Sequence, residues 1–400
     1  MIYNREHTYM KVAHFTDTFY PSLNGVVTSV VNLSKALTDQ GHSVTIFAPH
    51  PPHDKDLHWD YPEIKLELLP SMPALFYPDF RLSSPLSMEV LRLMNEDQPD
   101  IIHFHTPLTV GLAGILIGKM KKIPVVGTFH TYFMEPEYLQ VVNLDILKFN
   151  NKNVATKIGW VYSNMLYNQA DVVISPSIYT KHALQQNGLS KDVTIISNGI
   201  PGRATSSSPP KTNLSLPEKY FLYVGRVSRE KSLDVLIEAF NIYCTKENAA
   251  HLVIVGDGPA LQEMKELAEK TPCSDRIVFT GSIDHDTLMD SGIHDRALAF
   301  ITASKSENQA VSVLEAISFG LPIIGVDARG LPELIHHNGI LCPPDDSSKL
   351  AAAMIKLNTD TQLRNDCSKS SVALAKEHSI TESTKQMIKV YQSLTTSHKQ

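Results

Sequence analysis

In the stretch KSENQAVSVLEAISFGLPIIG, Lys305 to Gly325, Glu307 stands just ahead of an apolar helix and Glu315 lies inside it. With the helix expected to start near Gln309, Glu315 shares a face with Val311 and Phe319, a packed side where an unpaired carboxylate is costly. Glu315 therefore needs a partner. Glu307 follows the apolar run Ala297 to Ala303, in the kind of strand-end loop where open α/β sheets hold ligands. Together the two acids can grip hydroxyl groups. The residues alone equally allow a first-turn acid that favours the helix dipole and a core acid paired with an Arg or Lys.

A second charged constellation is YVGRVSREKSLDVLIEAF, where Arg226 and Lys231 fall between a strand end and a helix expected to be capped by Ser232. Two cations beside free backbone N–H groups suit a diphosphate, although two solvated loop cations give the same pattern. Asn24 and Gly25 occupy the first βα loop, where a glycine lets the backbone approach an anion. Gly-x-Gly-x-x-Gly is absent there. Gly256, Asp257 and Gly258 also lack the third glycine, so a dehydrogenase is not expected. His130 ends the run IPVVGTFH, placing it at a strand's C-terminal end, able to donate to an oxygen or accept a proton. His103 and His105 point to one face of their strand, but they lack a companion ligand spacing, and no metal site is expected. Asp284 and Asp286 form Asp-x-Asp ahead of a helix, which reads as capping rather than metal binding.

The elements that must carry these residues follow from the apolar pattern. From Met10 the chain reads as strand KVAHFTD, loop, a helix striped by Val26, Val30, Leu33 and Leu37, a turn at Gly41, then strand SVTIFAP. Further strands are expected at Ile101 to His105, Ile123 to His130, Asp171 to Ser177 and Val193 to Ser197, giving a doubly wound parallel sheet over 10–200. The Ser- and Pro-rich segment 201–217 lacks an apolar period and reads as a linker. A second series over 218–380 carries the strands YFLYVG, HLVIVGDG, RIVFTG, LAFITAS and PIIGV. The fold class expected is therefore α/β, two Rossmann-like domains facing across a cleft.

The chain has 400 residues with 42% hydrophobic and 20% charged, ample for two cores. A net charge of −6 gives no global reason to expect nucleic acid. The first ten residues lack an apolar signal core and no stretch reads as a membrane span, so a cytoplasmic protein is expected. Cys244, Cys273, Cys342 and Cys367 are widely spaced and expected to be reduced thiols.

Jointly, FTDTFYPSLNGVV, PDIIHFHTP, PVVGTFHT, SNGI, VGRVSREKSLD, VGDGP and the Glu-x7-Glu segment resemble the retaining family 4 glycosyltransferases of GT-B fold, over Met10 to about His398. The resemblance implies a hexosyltransferase with no cofactor and a nucleotide diphosphate sugar, a UDP-sugar, as donor. It implies Arg226 and Lys231 on the diphosphate, Glu315 on the ribose, Glu307 near the sugar's hydroxyls, His130 close to the transferred sugar and Gly25 beside the phosphates. It also implies that a final helix, 381–397, crosses back onto the N-terminal domain. The departure is at Asn308, Gln309 and Ala310, where many members carry glycines that approach the donor.

GTFHTYF and the first loop look most like bacterial members that glycosylate diacylglycerol, which implies a lipid acceptor. The stretch 146–170 holds Lys148, Lys152 and Lys157, no Asp or Glu, and the apolar residues Phe149, Val154, Ile158, Trp160, Val161 and Leu166. Such a segment suits an anionic bilayer at the inner face of the membrane, or a helix packed on its own domain with a basic edge. A soluble sugar or polysaccharide intermediate as acceptor, and a nucleotide-sugar-binding protein without transfer activity, are the alternatives.

Overall fold

The computed structural model describes residues 9–21, 24–52, 57, 59–73, 81–84, 88–130, 152–201, 216–247 and 250–398. The chain divides into two units, Met1–Gly199 with Ile380–Gln400, and Ile200–Ser379. The linker segment expected at 201–217 lies mostly outside the described residues.

In the first unit short apolar runs form β1 (Lys11–Phe15), β2 (Ser43–Pro49), β3 (Lys65–Leu69), β4 (Ser71–Pro73), β5 (Arg81–Ser83), β6 (Ile101–Phe104), β7 (Val125–Thr128), β8 (Val172–Ser175) and β9 (Val193–Ile195). Seven of these build one sheet in the order β3-β2-β1-β6-β7-β8-β9, with β4 and β5 paired separately. Every pairing in the large sheet is parallel, as strands joined by helical crossovers require. Strand order reverses between β1 and β6, which opens a crevice at their C-terminal ends.

Both faces of this sheet are covered, because successive side chains leave a strand on opposite sides. Val12 and Ile101 pack in a core with Val26, Val30 and Leu37 of helix Gly25–Asp39, and with Met387 and Tyr391 of helix Ile380–His398. Phe15, Ile102 and Phe104 enter the opposite core with Phe129, Trp160 and Tyr167. The alternation also sends His14 and His103, partners in register across β1 and β6, to the same face as Val12.

The second unit repeats the plan with β10 (Tyr220–Val224), β11 (His251–Val255), β12 (Ile277–Gly281), β13 (Ala297–Ile301), β14 (Ile323–Val326) and β15 (Gly339–Cys342). Their order is β12-β11-β10-β13-β14-β15, all parallel, with the reversal between β10 and β13. Strands β10, β11 and β14 are almost wholly buried, with helices such as Leu233–Lys246 and Ser347–Thr359 packed on the sheet. Each unit is Rossmann-like. Among the described residues no helix is long and apolar enough to cross a membrane.

Candidate active site

The reversal between β10 and β13 brings together the two loops that carry the second unit's candidate residues. After β10 the chain runs through Arg226 into a short 3-10 turn, Arg229–Lys231, then helix Leu233–Lys246. After β13 it runs through Glu307 into helix Val311–Ser318. Lys231 Nζ donates to Glu307 Oε1 at 2.6 Å, joining the loops, and both side chains are largely buried. Burial raises the cost of the Glu307 carboxylate, but the Lys231 ammonium, with Ser304 and Arg329, outweighs it and holds the carboxyl below its usual range. A weaker tie, Ser306 Oγ to the Glu230 carbonyl at 3.3 Å, joins the same two loops.

Backbone contacts hold each loop in place. Gly225 N–H donates to the Val255 carbonyl and Val227 N–H to that of Asp257, so the Gly256–Gly258 segment buttresses the Arg226 loop. A Cβ on Gly256 would lie 1.9 Å from the Gly225 carbonyl oxygen, and its φ of +140° disfavours other residues. The glycines read above as an incomplete dinucleotide fingerprint thus serve a close backbone crossing. Gly330 plays the same part behind Glu307: its N–H donates to the Glu307 carbonyl at 3.1 Å. A Cβ there would meet the Asn308 carbonyl oxygen at 1.8 Å.

Ser232 sits at the helix start as expected, but it does not cap. Its backbone is left-handed, with φ of 52°, and its side chain makes no capping bond; its own N–H instead closes the 3-10 turn onto Arg229. The helix after Glu307 begins at Val311 rather than Gln309, with Asn308, Gln309 and Ala310 buried immediately before it.

Glu315 is buried on that helix, and its partner is neither Arg nor Lys. His285 Nε2 lies 2.7 Å from Glu315 Oε1, a pairing the spacing did not announce. Burial favours neutral His285, but Asp286, 3.7 Å away, and Glu315 more than offset it and raise the imidazole's pKa to about 10. At neutral pH the ring is therefore charged and donates to the carboxylate. Asp284 caps its helix by accepting from Thr287 N–H at 3.1 Å, so the Asp-x-Asp pair does contribute to capping, while Asp286 faces His285.

In the first unit, loops after β1 and β6 meet at the other reversal. Asp17, wholly buried, accepts from Thr106 Oγ1, Thr109 Oγ1 and the N–H groups of Leu108, Val110 and Gly111, fixing the start of helix Thr109–Lys121. Burial raises its pKa, and the hydrogen bonds from Thr106, Val110, Gly111 and Thr109 pull the other way. Sequence reading passed over Asp17. Its signal was an acid directly after an apolar strand, opposite a Thr-rich loop.

Asn24 caps helix Gly25–Asp39, its Oδ1 accepting from Val26 and Val27 N–H at 3.1 and 3.2 Å. Those amides are thus occupied by Asn24. Gly25, expected in the loop, is instead the first, exposed residue of the helix, where only backbone can meet a ligand.

His130 follows β7 and lines a pocket with Ser29, His105, Thr128, Asn198 and Met387. Behind it lies a histidine cluster. His105 Nδ1 is 3.0 Å from His130 Nε2, and His14 Nδ1 is 2.8 Å from His105 Nε2. His103 bridges Tyr391 Oη and Thr128 Oγ1 at 2.7 and 2.6 Å. Burial lowers all four imidazoles, His14 to about 3 and His130 to about 4, so they are neutral at neutral pH. His14, His103 and His105 bring possible metal ligands within 4.8 Å of one another. Yet every nitrogen of these rings except His14 Nε2 has a hydrogen-bond partner, so the cluster is already knitted together without an ion.

The basic stretch divides. Lys148 and Phe149 lie outside the described residues, and for Lys152 and Val154 only the backbone is described. In helix Lys152–Tyr167, Trp160 and Leu166 are buried, with Trp160 stacked on Phe129 at 5.9 Å, so they belong to the core rather than to an outer face. Ile158, Val161 and Met165, at helical spacing, are 51%, 70% and 54% exposed.

Comparison with known proteins places this architecture. The model of Glycosyltransferase Family 4 matches residues 23–201, and that of Glycosyl transferases group 1 matches 205–372. The alpha-monoglucosyldiacylglycerol synthase of Streptococcus pneumoniae is 31% identical over 337 residues, covering 81% of this chain and 72% of its own. The protein of the same description from Acholeplasma laidlawii is 29% identical, covering 79% and 80%. Among solved structures, sucrose-phosphate synthase from Thermosynechococcus elongatus superposes with a TM-score of 0.76 at 19% identity, over 97% of this chain and 100% of that one. Anabaena HepE in complex with UDP-glucose gives 0.73 at 19% identity, over 96% and 100%.

Proposed function

The chain belongs to the family 4 glycosyltransferases and has their GT-B fold, and on that premise we propose that it moves a hexose from a UDP-sugar to the hydroxyl of a membrane lipid such as diacylglycerol, with retention of configuration. One observation carries the donor half of this reading: the β10 and β13 loops bring Lys231 and Glu307 into contact at the second unit's strand reversal. Arg226 and Lys231 hold the diphosphate and neutralise charge as the glycosidic oxygen leaves. Glu315, steadied by His285, takes the ribose hydroxyls, and Glu307 takes hydroxyls of the sugar. Asn308, Gln309 and Ala310 present backbone at the N-terminus of helix Val311–Ser318, where oxygen acceptors are favoured. In the first unit, His130 attends the transferred sugar and Gly25 offers backbone to phosphate oxygen. Among the described residues no carboxylate stands out as nucleophile, and in keeping with the family resemblance the acceptor hydroxyl attacks from the leaving-group face while a donor phosphate oxygen takes its proton.

Three things support the lipid acceptor: the descriptions of the two relatives, the exposed stripe Ile158, Val161 and Met165, and a 146–170 segment with three lysines and no acid. The uridine donor is supported by the UDP-glucose complex of the HepE neighbour.

The test is release of nucleoside diphosphate from UDP-, GDP- and ADP-sugars, with and without diacylglycerol in anionic vesicles, in wild type and Glu307→Ala. Vesicle-dependent release from a UDP-sugar, lost in the variant, is expected. Turnover only on soluble acceptors would overturn the lipid assignment, and donor binding without turnover on any extracted lipid or glycan would overturn transfer itself.

A further inference from the structure

Three imidazoles run in a line from the first unit's core to the candidate site: His14, His105 and His130. All are neutral at neutral pH, because burial depresses each of them. A neutral imidazole has one N–H and one bare nitrogen, so a chain of them has direction: each ring that donates at one end must accept at the other.

Two directions are possible, and the far end chooses between them. If His130 Nε2–H donates to His105 Nδ1, then His105 Nε2–H donates to His14 Nδ1, and the His14 proton is left on Nε2. That nitrogen is buried with no hydrogen-bond partner among the described residues, and His14 is 0% exposed. In the opposite direction His14 Nδ1–H donates inward and Nε2 is merely a bare acceptor. A buried N–H without an acceptor is the rarer and costlier defect.

We propose that His105, backed by His14, is a positioning residue that holds His130 as the Nδ1-protonated tautomer, so that His130 meets the sugar as a hydrogen-bond donor and not as a base. The inference rests on the reading of His130 as a sugar-site residue. Its physical content is that His130 Nε2 is spent accepting from His105 Nδ1 at 3.0 Å, which places the one proton of the neutral ring on Nδ1. The cluster is anchored on neighbouring strands, His14 beside His103 in register. Tyr391, from helix Ile380–His398, packs edge-on against His103 with ring centroids 5.9 Å apart.

The two amide replacements at position 105 separate positioning from bulk. An Asn amide nitrogen is as far from Cβ as the imidazole Nδ1, and a Gln amide oxygen, which can accept from His14, as far as Nε2. His105→Asn thus keeps a donor toward His130 and gives up His14; His105→Gln does the reverse. We expect His105→Gln to lower kcat about 10- to 100-fold with donor KM changed less than about twofold, by analogy with the loss of a partner that orients a metal-bound histidine through its second nitrogen, and His105→Asn to stay within about threefold of wild type. A role in packing alone would lower both variants alike, and that result overturns the proposal.

A measurement on the unmutated chain covers the case in which the variants fail to fold. Long-range proton–nitrogen correlation spectra of protein labelled with nitrogen-15 histidine, assigned with His130→Ala, should show the His14, His105 and His130 protons on Nδ1 at neutral pH. A His130 proton on Nε2 overturns the proposal. Full turnover in His130→Ala would instead remove the sugar-site reading, while the tautomer spectrum would still report on the chain.

Discussion

Lys231 Nζ lies 2.6 Å from Glu307 Oε1, so the cation proposed for the donor's diphosphate and the acid proposed for its sugar form an ion pair with each other. A diphosphate must compete for Lys231 with a carboxylate already in place. Glu307→Gln removes that competitor while keeping shape. Binding of UDP, followed by calorimetry, should tighten about 3- to 10-fold, an effect of roughly 1 kcal/mol, while turnover falls. Unchanged or weaker UDP affinity would show that Lys231 does not reach the diphosphate.

The same pair has a pH signature. The folded-state pKa of Glu307 lies below its usual 4.5, so the stabilisation is fully present above that value and is lost as pH falls through the folded pKa. Urea unfolding below pH about 4.5 should therefore lose less stability per pH unit in Glu307→Gln than in wild type. Equal slopes would show that the ion pair contributes nothing.

His285 and Glu315 respond in the opposite direction. The folded imidazole titrates near 10 against 6.5 unfolded, so its contribution is complete below 6.5 and disappears as pH rises toward 10. Between pH 7 and 10 wild type should lose about 2–4 kcal/mol more stability than His285→Gln, a range discounted for the partly exposed ring. At pH 7, His285→Ala should also weaken nucleotide binding, since Glu315 loses the donor that orients it. Parallel unfolding curves for wild type and His285→Gln across this range would exclude the pair as a stabilising contact.

How far these contacts were legible depends on what sets them. The βα loops carrying Arg226, Glu307 and His130 were readable because apolar runs of strand length ended at them. Strand β3 was missed because KLELL is largely half-exposed and begins on a lysine, and β15 because GILC is only partly buried. The cap at Ser232 failed because residue type does not fix φ. Partners were the hardest part. His285 and Glu315 are 30 residues apart, Lys231 and Glu307 76, and His103 and Tyr391 288, so topology rather than local spacing brings them together.

Gly330 tests whether backbone approach, rather than any side chain, places Glu307. Its N–H holds the Glu307 carbonyl, and a Cβ would sit 1.8 Å from the Asn308 carbonyl oxygen, a collision that only backbone movement relieves. Gly330→Ala should cost about 2 kcal/mol or more in urea unfolding and reduce turnover by more than that loss of folded protein explains. Wild-type stability in the variant would mean the loop yields freely and does not fix the acid.

The proposed membrane contact has a test that leaves the fold alone. Val161 is 70% exposed and Ile158 51%, on a helix whose inner face, Trp160 and Leu166, is packed in the core. Replacing both outer residues by Asp should therefore shift stability by less than about 0.5 kcal/mol each, as for other surface changes. On anionic vesicles the same double change removes the two side chains proposed to insert and adds two repelled charges. Co-sedimentation should fall at least about tenfold, with release of nucleoside diphosphate becoming insensitive to vesicles. Lys157→Glu alone should weaken binding by a smaller factor that shrinks as salt is raised, because its attraction acts over a Debye length of about 8 Å. Undiminished co-sedimentation of the Ile158→Asp, Val161→Asp protein would remove this helix face from the lipid-binding surface.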